Sequence, residues 1–526
     1  MNESRTSKSI KNAQASLIYY FIQLLLGFFS RKVFFDYLGS EILGLNTTAA
    51  NLLGFLNLAE LGIGMSVGYF LYKPLYDHNT ETLNKIIALQ GWIYRRIAYI
   101  IIILAYILMS FFPWIFEKSP LPLWYAYVTF GVLLFSSMLG YFANYRQILL
   151  QADQKSYKVQ RITQGAIIVK TIIQIVGMQI VAWPFVFWTI IELGFAIFSA
   201  YILNYVLKKE YPWLQTRDYN GKDLLKEFPK IITKTKQVFV HKFSAVVLGQ
   251  CAPLIMYGFS SLTIIAYYGN YQLIIGKVGY LLQTIFNSTT AGVGNLIASG
   301  NKQHIQDVFW ELFDSRFFFS SVTLITIYFV IQPFITIWLG SQYILSDFFL
   351  CLILITTAIS INRVTVDSFI AGYGLFSDIW APIAETLINL GGSFLFGYFW
   401  GYEGVLIGVI LSQFVIICLW KPYFLYSQGL QSNASQYFIP LVGRLFIITI
   451  DFIAFKFIFS SYNISNIDNY LSWFLFTITI FFVVFIILFA EFYFLTSGMH
   501  SFTLRIYNII INKFNLSLVR HWIAFS

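Results

Sequence analysis

Charged residues inside apolar stretches are where this chain could do chemistry. The sharpest case is Glu60, in an otherwise uncharged segment of roughly 28 residues, long enough to cross a hydrocarbon core. An ionised group at that depth costs about 2.5–3.5 kcal/mol on insertion scales, so it faces a polar cavity or a partner. Gly54, Gly62, Gly64 and Gly68 surround it, and small residues let membrane helices approach closely or bend. Such a carboxylate can take up a proton or a sodium ion, hold a cavity arginine, or sit protonated against a neighbouring helix. Arg31 closes the preceding apolar helix, beside Lys32 and Asp36. Its planar guanidinium suits a phosphate, which it can bind bidentately; the alternative is an arginine that snorkels to the interface.

Lys242 and Lys277 punctuate later apolar segments, and Arg363, Asp367 and Glu385 lie in or beside two more. With Arg31 and Glu60 they form the set of candidate substrate or cavity residues. Arg363 and Asp367 are four apart, the spacing of an ion pair on one helix face. Lys170 and Glu192 fall in successive apolar segments and are expected to pair across them, mainly as structure. Catalytic signatures are lacking: the five histidines show no metal spacing, and there is no phosphate-binding loop or nucleophile elbow. The expectation is a protein that is not an enzyme, with no metal and no cofactor beyond a coupling H+ or Na+. The tyrosines and phenylalanines are too evenly spread to mark a binding stripe and read as packing, lipid-facing or interfacial residues.

These charges need helices to hold them. Hydrophobic residues make up 58% of the chain and charged ones 11%, and apolar runs of about 18 residues or more recur from end to end, the mark of an integral membrane protein. The runs are continuous rather than alternating, so they are helices and not barrel strands. The net charge of +10 does not indicate nucleic acid, because the basic residues cluster at helix ends, as the positive-inside rule requires. Cys251, Cys351 and Cys418 lie in or beside apolar runs and read as packing residues. The first apolar run lacks a small-residue cleavage site and reads as a retained helix.

Hydropathy predicts an all-α integral membrane protein of about fourteen transmembrane helices. First-half spans are expected near 12–37, 43–72, 97–116, 123–149, 162–181 and 185–207, with an amphipathic interfacial piece at roughly 80–96. Second-half spans follow near 238–258, 263–298, 309–337, 346–371, 379–400 and 404–426, and two more near 438–460 and 471–495. The expected domains are a six-helix N-terminal lobe (1–207), a basic cytoplasmic linker (208–236), a six-helix C-terminal lobe (237–436), and two extra helices with a basic tail (437–526). Both termini are expected in the cytoplasm. A repeat at a spacing of roughly 220 residues relates the halves, with Gly44-Leu45-Asn46 opposite Ala266-Tyr267-Tyr268. Six helices per half is an even number, so the lobes are expected to share orientation about a pseudo-two-fold axis along the membrane normal, with a cavity between them.

The segment over residues 31–74 resembles the start of Wzx-type polysaccharide flippases of the multidrug/oligosaccharidyl-lipid/polysaccharide exporter superfamily. The residues that carry the resemblance are Arg31, Tyr37-Leu38-Gly39, Leu43-Gly44-Leu45-Asn46, Leu58-Ala59-Glu60-Leu61-Gly62-Ile63-Gly64 and Leu71-Tyr72-Lys73-Pro74, with weaker motifs at 151–156 and 266–271. The resemblance implies two six-helix lobes working by alternating access. It also implies a substrate, undecaprenyl-diphosphate-linked oligosaccharide repeat units. These would be flipped to the outer leaflet of the bacterial inner membrane for lipopolysaccharide O-antigen, capsule or exopolysaccharide synthesis. Implied partners are the lipid bilayer, a polysaccharide polymerase and a chain-length regulator. Arg31 and Glu60 match positions where the family and its lipid II flippase relatives carry cavity charges, although this chain has few other cations in its first-half helices. An anionic head, a polar glycan and an apolar tail need a cationic hydrated site and a lateral portal, and an inside-negative potential helps negative charge outward. The competing readings are a multidrug and toxin extrusion cation antiporter of the same superfamily, a polysaccharide polymerase, and a membrane scaffold. An antiporter predicts acids dominating one lobe, and a polymerase predicts a sizeable outer loop, which the sequence does not offer.

Overall fold

The computed structural model describes residues 5–60, 63–153, 155–216, 219–287, 293, 296–297, 300–375, 378–460 and 467–514, and every regular element among them is helical. The chain divides into two compact units, Met1–Gly269 and Asn270–Ser526.

The first unit opens with α1 (Arg5–Leu56), which breaks at Gly39, where φ is 81°. That left-handed value favours glycine, and the break falls where hydropathy places the turn between the first two spans. A 3₁₀ turn, Asn57–Glu60, and then α2 (Ile63–Tyr76) follow. The single span expected over 43–72 is therefore interrupted by the 3₁₀ turn Asn57–Glu60. α3 (Thr80–Ser110) starts at Asn79, whose side chain accepts from the Thr82 amide at 2.9 Å. The piece expected to lie on the interface at 80–96 is the first half of this continuous helix, because Leu83, Ile86, Ile87 and Leu89 are buried in the unit's core. α4 (Trp124–Phe142) gives way to a 3₁₀ turn, Asn144–Arg146, and the short α5 (Gln147–Ala152).

α6 (Ser156–Gly177) and α7 (Pro184–Glu210) come next, with Pro184 at the first helical position, where its missing N–H costs nothing. Lys170 donates to both Glu192 oxygens, at 2.9 and 2.8 Å, tying α6 to α7 as expected. α8 (Pro229–Gly258) and the start of α9 (Leu262–Asn287) complete the unit.

In the second unit α10 (Lys302–Trp338) is the central post: 72% of its apolar stretch is buried, against 11% for α1. α11 (Asp347–Gly372) packs on it. α12 (Trp380–Gln413) breaks at Trp400 and Gly401, the latter with φ of 63°. Its two halves lie against each other: Asn389 donates to Ser412 at 3.2 Å and Ser393 to the Val405 carbonyl at 3.0 Å. A Cβ at Gly404 or Gly408 would collide with the backbone of Phe396 or Ser393. This element is thus an antiparallel hairpin, the two spans expected at 379–400 and 404–426. It continues through a π-helical stretch, Phe414–Trp420. α13 (Ser435–Ser460), α14 (Tyr470–Leu495) and α15 (Ser497–Phe514) end the chain, with α14 and α15 packed on α10.

Nine helices among the described residues are long and apolar enough to span a membrane. Two of them, Ile18–Leu56 and Trp380–Gly429, run 39 and 50 residues and contain the breaks at Gly39 and Gly401. Others, such as α6, are diluted by polar residues, so nine stands where hydropathy suggests about fourteen. The chain is an all-helical, multi-pass membrane protein.

Candidate functional site

Six elements of the first unit converge on a polar cavity of about 610 Å³. The turn Asn57–Glu60 forms one wall, and α2 contributes Gly64, Gly68 and Tyr72. From α3 come Gln90 and Tyr94, one helical turn apart, and from α4 Ser137, Gly140 and Tyr141. Tyr145, with Gln147 and Gln151 of α5, closes the space. Glu60 is the one charged residue among the described lining residues.

The Tyr94 hydroxyl donates to Glu60 Oε1 at 2.6 Å, a charge-assisted bond of the stronger kind. Tyr141 and Ser137 donate to Asn57 Oδ1 at 3.1 and 3.2 Å, and the Tyr141 hydroxyl also lies within hydrogen-bonding reach of Glu60. The Tyr94 and Tyr141 rings meet edge to face, with centroids 5.5 Å apart. Gln90 is 1% exposed, and its Oε1 has no protein partner. Tyr94, Tyr141 and Ser137 therefore direct their hydroxyl protons to Glu60 and Asn57, and beside them the wall carries the side-chain amides of Asn57, Gln90, Gln147 and Gln151.

Arg31 does not line this cavity. It is partly buried, and its Nη2 donates to the Ala266 carbonyl at 3.1 Å. A Cβ on Gly269 would come within 2.5 Å of that nitrogen. The 266–269 motif is thus the seat of the guanidinium, and Gly269 leaves the room for it. Nearby, Lys32 pairs with Asp36 at 3.6 Å, and the Thr263 hydroxyl donates to Glu41.

In the second unit Arg363 and Asp367 pair at 2.7 Å, as their spacing predicts. Lys421 holds the other Asp367 oxygen at 2.8 Å. Glu385, 5% exposed, lies within electrostatic reach of Arg363, Lys421 and Asp367. Lys277 is partly buried on α9. The Lys242 side chain lies outside the described residues.

Sequence reasoning missed two arrangements. Asp314, fully buried on α10, is gripped by both Nε and Nη2 of Arg444 from α13, the latter at 2.8 Å, and accepts the Gly498 amide at 3.1 Å. The rule that singled out Glu60, a charge among apolar residues, would have found Asp314. The second is the convergence of Tyr72, Tyr94, Tyr141 and Tyr145 on one cavity. They come from separate elements, so no periodicity along the chain reveals them.

The polar junction at 151–156 is a clamp outside the spans. Lys155 bridges Asp153 at 2.8 Å and Glu210 at 3.2 Å, and Lys158 also pairs with Glu210. Burial opposes the Lys155 charge, but the two carboxylates outweigh it and hold its pKa above the ordinary value. Tyr211 donates to Asp153 at 2.8 Å; burial and that carboxylate push its phenol pKa up.

No protein-family model matches the chain, and no curated protein matches it in sequence. Its fold is similar to that of the lipid II flippase MurJ in an inward closed conformation, with a TM-score of 0.62 at 17% identity over 90% of this chain and 98% of that one. It is also similar to the inward-facing conformation of a multidrug resistance MATE family transporter of the MOP superfamily. There the TM-score is 0.57 at 14% identity over 78% of this chain and 95% of that one. The likeness is one of fold, shared with these two transport proteins.

Proposed function

We propose that this chain is a flippase that carries polyprenyl-diphosphate-linked oligosaccharides from the cytoplasmic to the outer leaflet of a bacterial inner membrane, for O-antigen, capsule or exopolysaccharide assembly. The observation that carries the reading is the polar cavity of the first unit. Its hydroxyl and amide lining suits a polyol rather than an acyl chain, and pockets of about 300–1,000 Å³ bury ligands of drug size. The fold likeness adds support, since it extends over 90% of the chain for the lipid II flippase and 78% for the multidrug transporter. The motif stretch at 31–74 supports it as well. Transport proceeds by alternating access in a fourteen-helix arrangement of two lobes and two extra helices, with both termini cytoplasmic. Arg31 supplies a fork for the diphosphate, and the inside-negative potential favours outward movement of its charge. A polymerase and a chain-length regulator take up the product, and Glu60 is the group through which H+ or Na+ would couple.

The test is flipping of a fluorescent polyprenyl-diphosphate oligosaccharide in proteoliposomes. Wild type flips it, and Arg31→Ala slows it by about tenfold or more, the cost of a lost charged hydrogen bond. No flipping by wild type across several glycans would overturn the reading.

One observation favours a second reading. The only charge among the described lining residues is a carboxylate, which a multidrug cation antiporter would need. That reading predicts export of lipophilic cations, lost in Glu60→Gln, with no movement of lipid diphosphates.

A further inference from the structure

We propose that the first unit's cavity is a sugar-reading subsite that takes neutral and N-acetylated sugar residues and rejects uronic acids. The inference rests on the transport reading above and names the class of headgroup.

Donors and acceptors around the cavity select its ligand. Tyr94, Tyr141 and Ser137 direct their hydroxyl protons to Glu60 and Asn57. Each such hydroxyl keeps lone pairs and has no further proton to give. The Gln90 Oε1 atom is buried and unpartnered at the cavity wall, and a buried acceptor in that state gains from any ligand that donates to it. What faces a ligand is a carboxylate, phenol oxygens and the side-chain amides of Asn57, Gln90, Gln147 and Gln151, which offer donors as well as acceptors. The matching ligand carries donors and acceptors at close spacing, as the hydroxyls and N-acetyl group of a pyranose do. Tyrosine adds a rigid, amphipathic contact surface at low entropic cost.

The same groups exclude an acidic sugar. Its carboxylate would meet the Glu60 carboxylate, and no Lys or Arg is among the described lining residues to offset that repulsion. Arg146 stands behind the wall, donating to the hydroxyls of Tyr145 and Thr216, each at 3.1 Å. Like charge placed against like charge is the repulsive half of specificity.

The test uses the full chain in lipid nanodiscs and saturation-transfer NMR with three probes: methyl β-glucopyranoside, methyl N-acetyl-β-glucosaminide and methyl β-glucuronide. Wild type transfers saturation to the first two at least about tenfold more strongly than to the glucuronide, the discrimination expected where polar groups would be left mismatched. Gly140→Leu fills the cavity, because a Cβ at Gly140 meets nothing within 4 Å, and it removes the signal of the neutral glycosides. Gln90→Leu, of similar volume and free of the orphan acceptor, keeps the fold and weakens the same signal. Glu60→Gln brings the glucuronide to within about twofold of the neutral sugars. Equal signals for all three probes on wild type, no signal for any, or a signal that survives both Gly140→Leu and Gln90→Leu would overturn the subsite. Glycoside binding by a chain that flips no lipid diphosphate overturns the transport reading alone. Equal flipping of glucosyl and glucuronosyl lipid diphosphates overturns the subsite alone.

Discussion

Glu60 and Asp314 are both carboxylates set among membrane helices, one in each unit, and their surroundings differ in kind. Asp314 is fully buried, and its oxygens are taken by the Arg444 fork and the Gly498 amide. Arg444 also lies 4.3 Å over the Trp310 ring and donates to the Pro440 carbonyl at 2.9 Å. That arrangement latches α10, α13 and α15 together. Glu60 is met by a phenol and borders an open volume of about 610 Å³. The difference teaches how to read a charge in a membrane helix. One closed by an opposite charge and a backbone N–H is structure; one held by neutral donors beside space remains available to a ligand.

The comparison breaks first at Asp314. Asp314→Ala leaves Arg444 buried without its counter-charge and should cost about 3–5 kcal/mol, read as a large drop in thermal stability in detergent. Replacing both residues with apolar ones of similar volume should recover most of that loss, because an intact buried pair is worth little net. A single variant that melts with wild type would show that Asp314 is no latch. Next in size is a pair of glycines. A Cβ on Gly498 would collide with the Trp310 carbonyl and sit 2.5 Å from the Asp314 carboxylate, so Gly498→Ala should destabilise by about 1–3 kcal/mol, as overpacking does. Gly140→Ala, with open space before it, should instead gain about 0.5–1 kcal/mol, the helix preference of alanine. Equal effects at the two sites would erase the contrast between latch and cavity.

Sequence alone reaches part of this distinction. Glu60, Lys170 with Glu192, and Arg363 with Asp367 were legible because charges are rare in apolar runs and because a spacing of four names its own partner. The hairpin in α12 was legible as two spans, since its break at Trp400-Gly401 falls just before the polar pair Tyr402-Glu403. Asp314 and Arg444 are 130 residues apart, and nothing local to either one names the other. Arg31 and the motif at 266–269 were each visible, but the contact between them was not. The cavity was hidden for another reason. Hydropathy begins the third span near 97 and leaves 80–96 to the interface, which removes Gln90 and Tyr94 from the membrane helix that α3 forms.

Two smaller measurements sharpen the comparison from the structural side. A double-mutant cycle on Lys170 and Glu192 should return a coupling of about 0.6–1.7 kcal/mol, the range of polar pairs between membrane helices. It should leave the preference among glycans unchanged, since neither residue lines the cavity. A changed preference would place the pair in the pathway.

The smallest effect expected is a pH dependence at the clamp on Lys155. Its pKa is raised in the folded chain, so its contribution to stability is complete at every pH below the free lysine value of 10.5 and fades only as pH climbs through the raised one. Stability should therefore be flat in this respect through neutral pH, with the difference between wild type and Lys155→Met closing in strong alkali and again in strong acid. There Glu210, whose charge burial opposes but which Lys158 and Lys155 hold below its ordinary pKa, takes up a proton. A difference that instead closed on moderate acidification would assign the clamp's strength to protonation of its carboxylates, Asp153 and Glu210. The lysine's own titration would then contribute nothing measurable, even though all three groups meet within 3.2 Å.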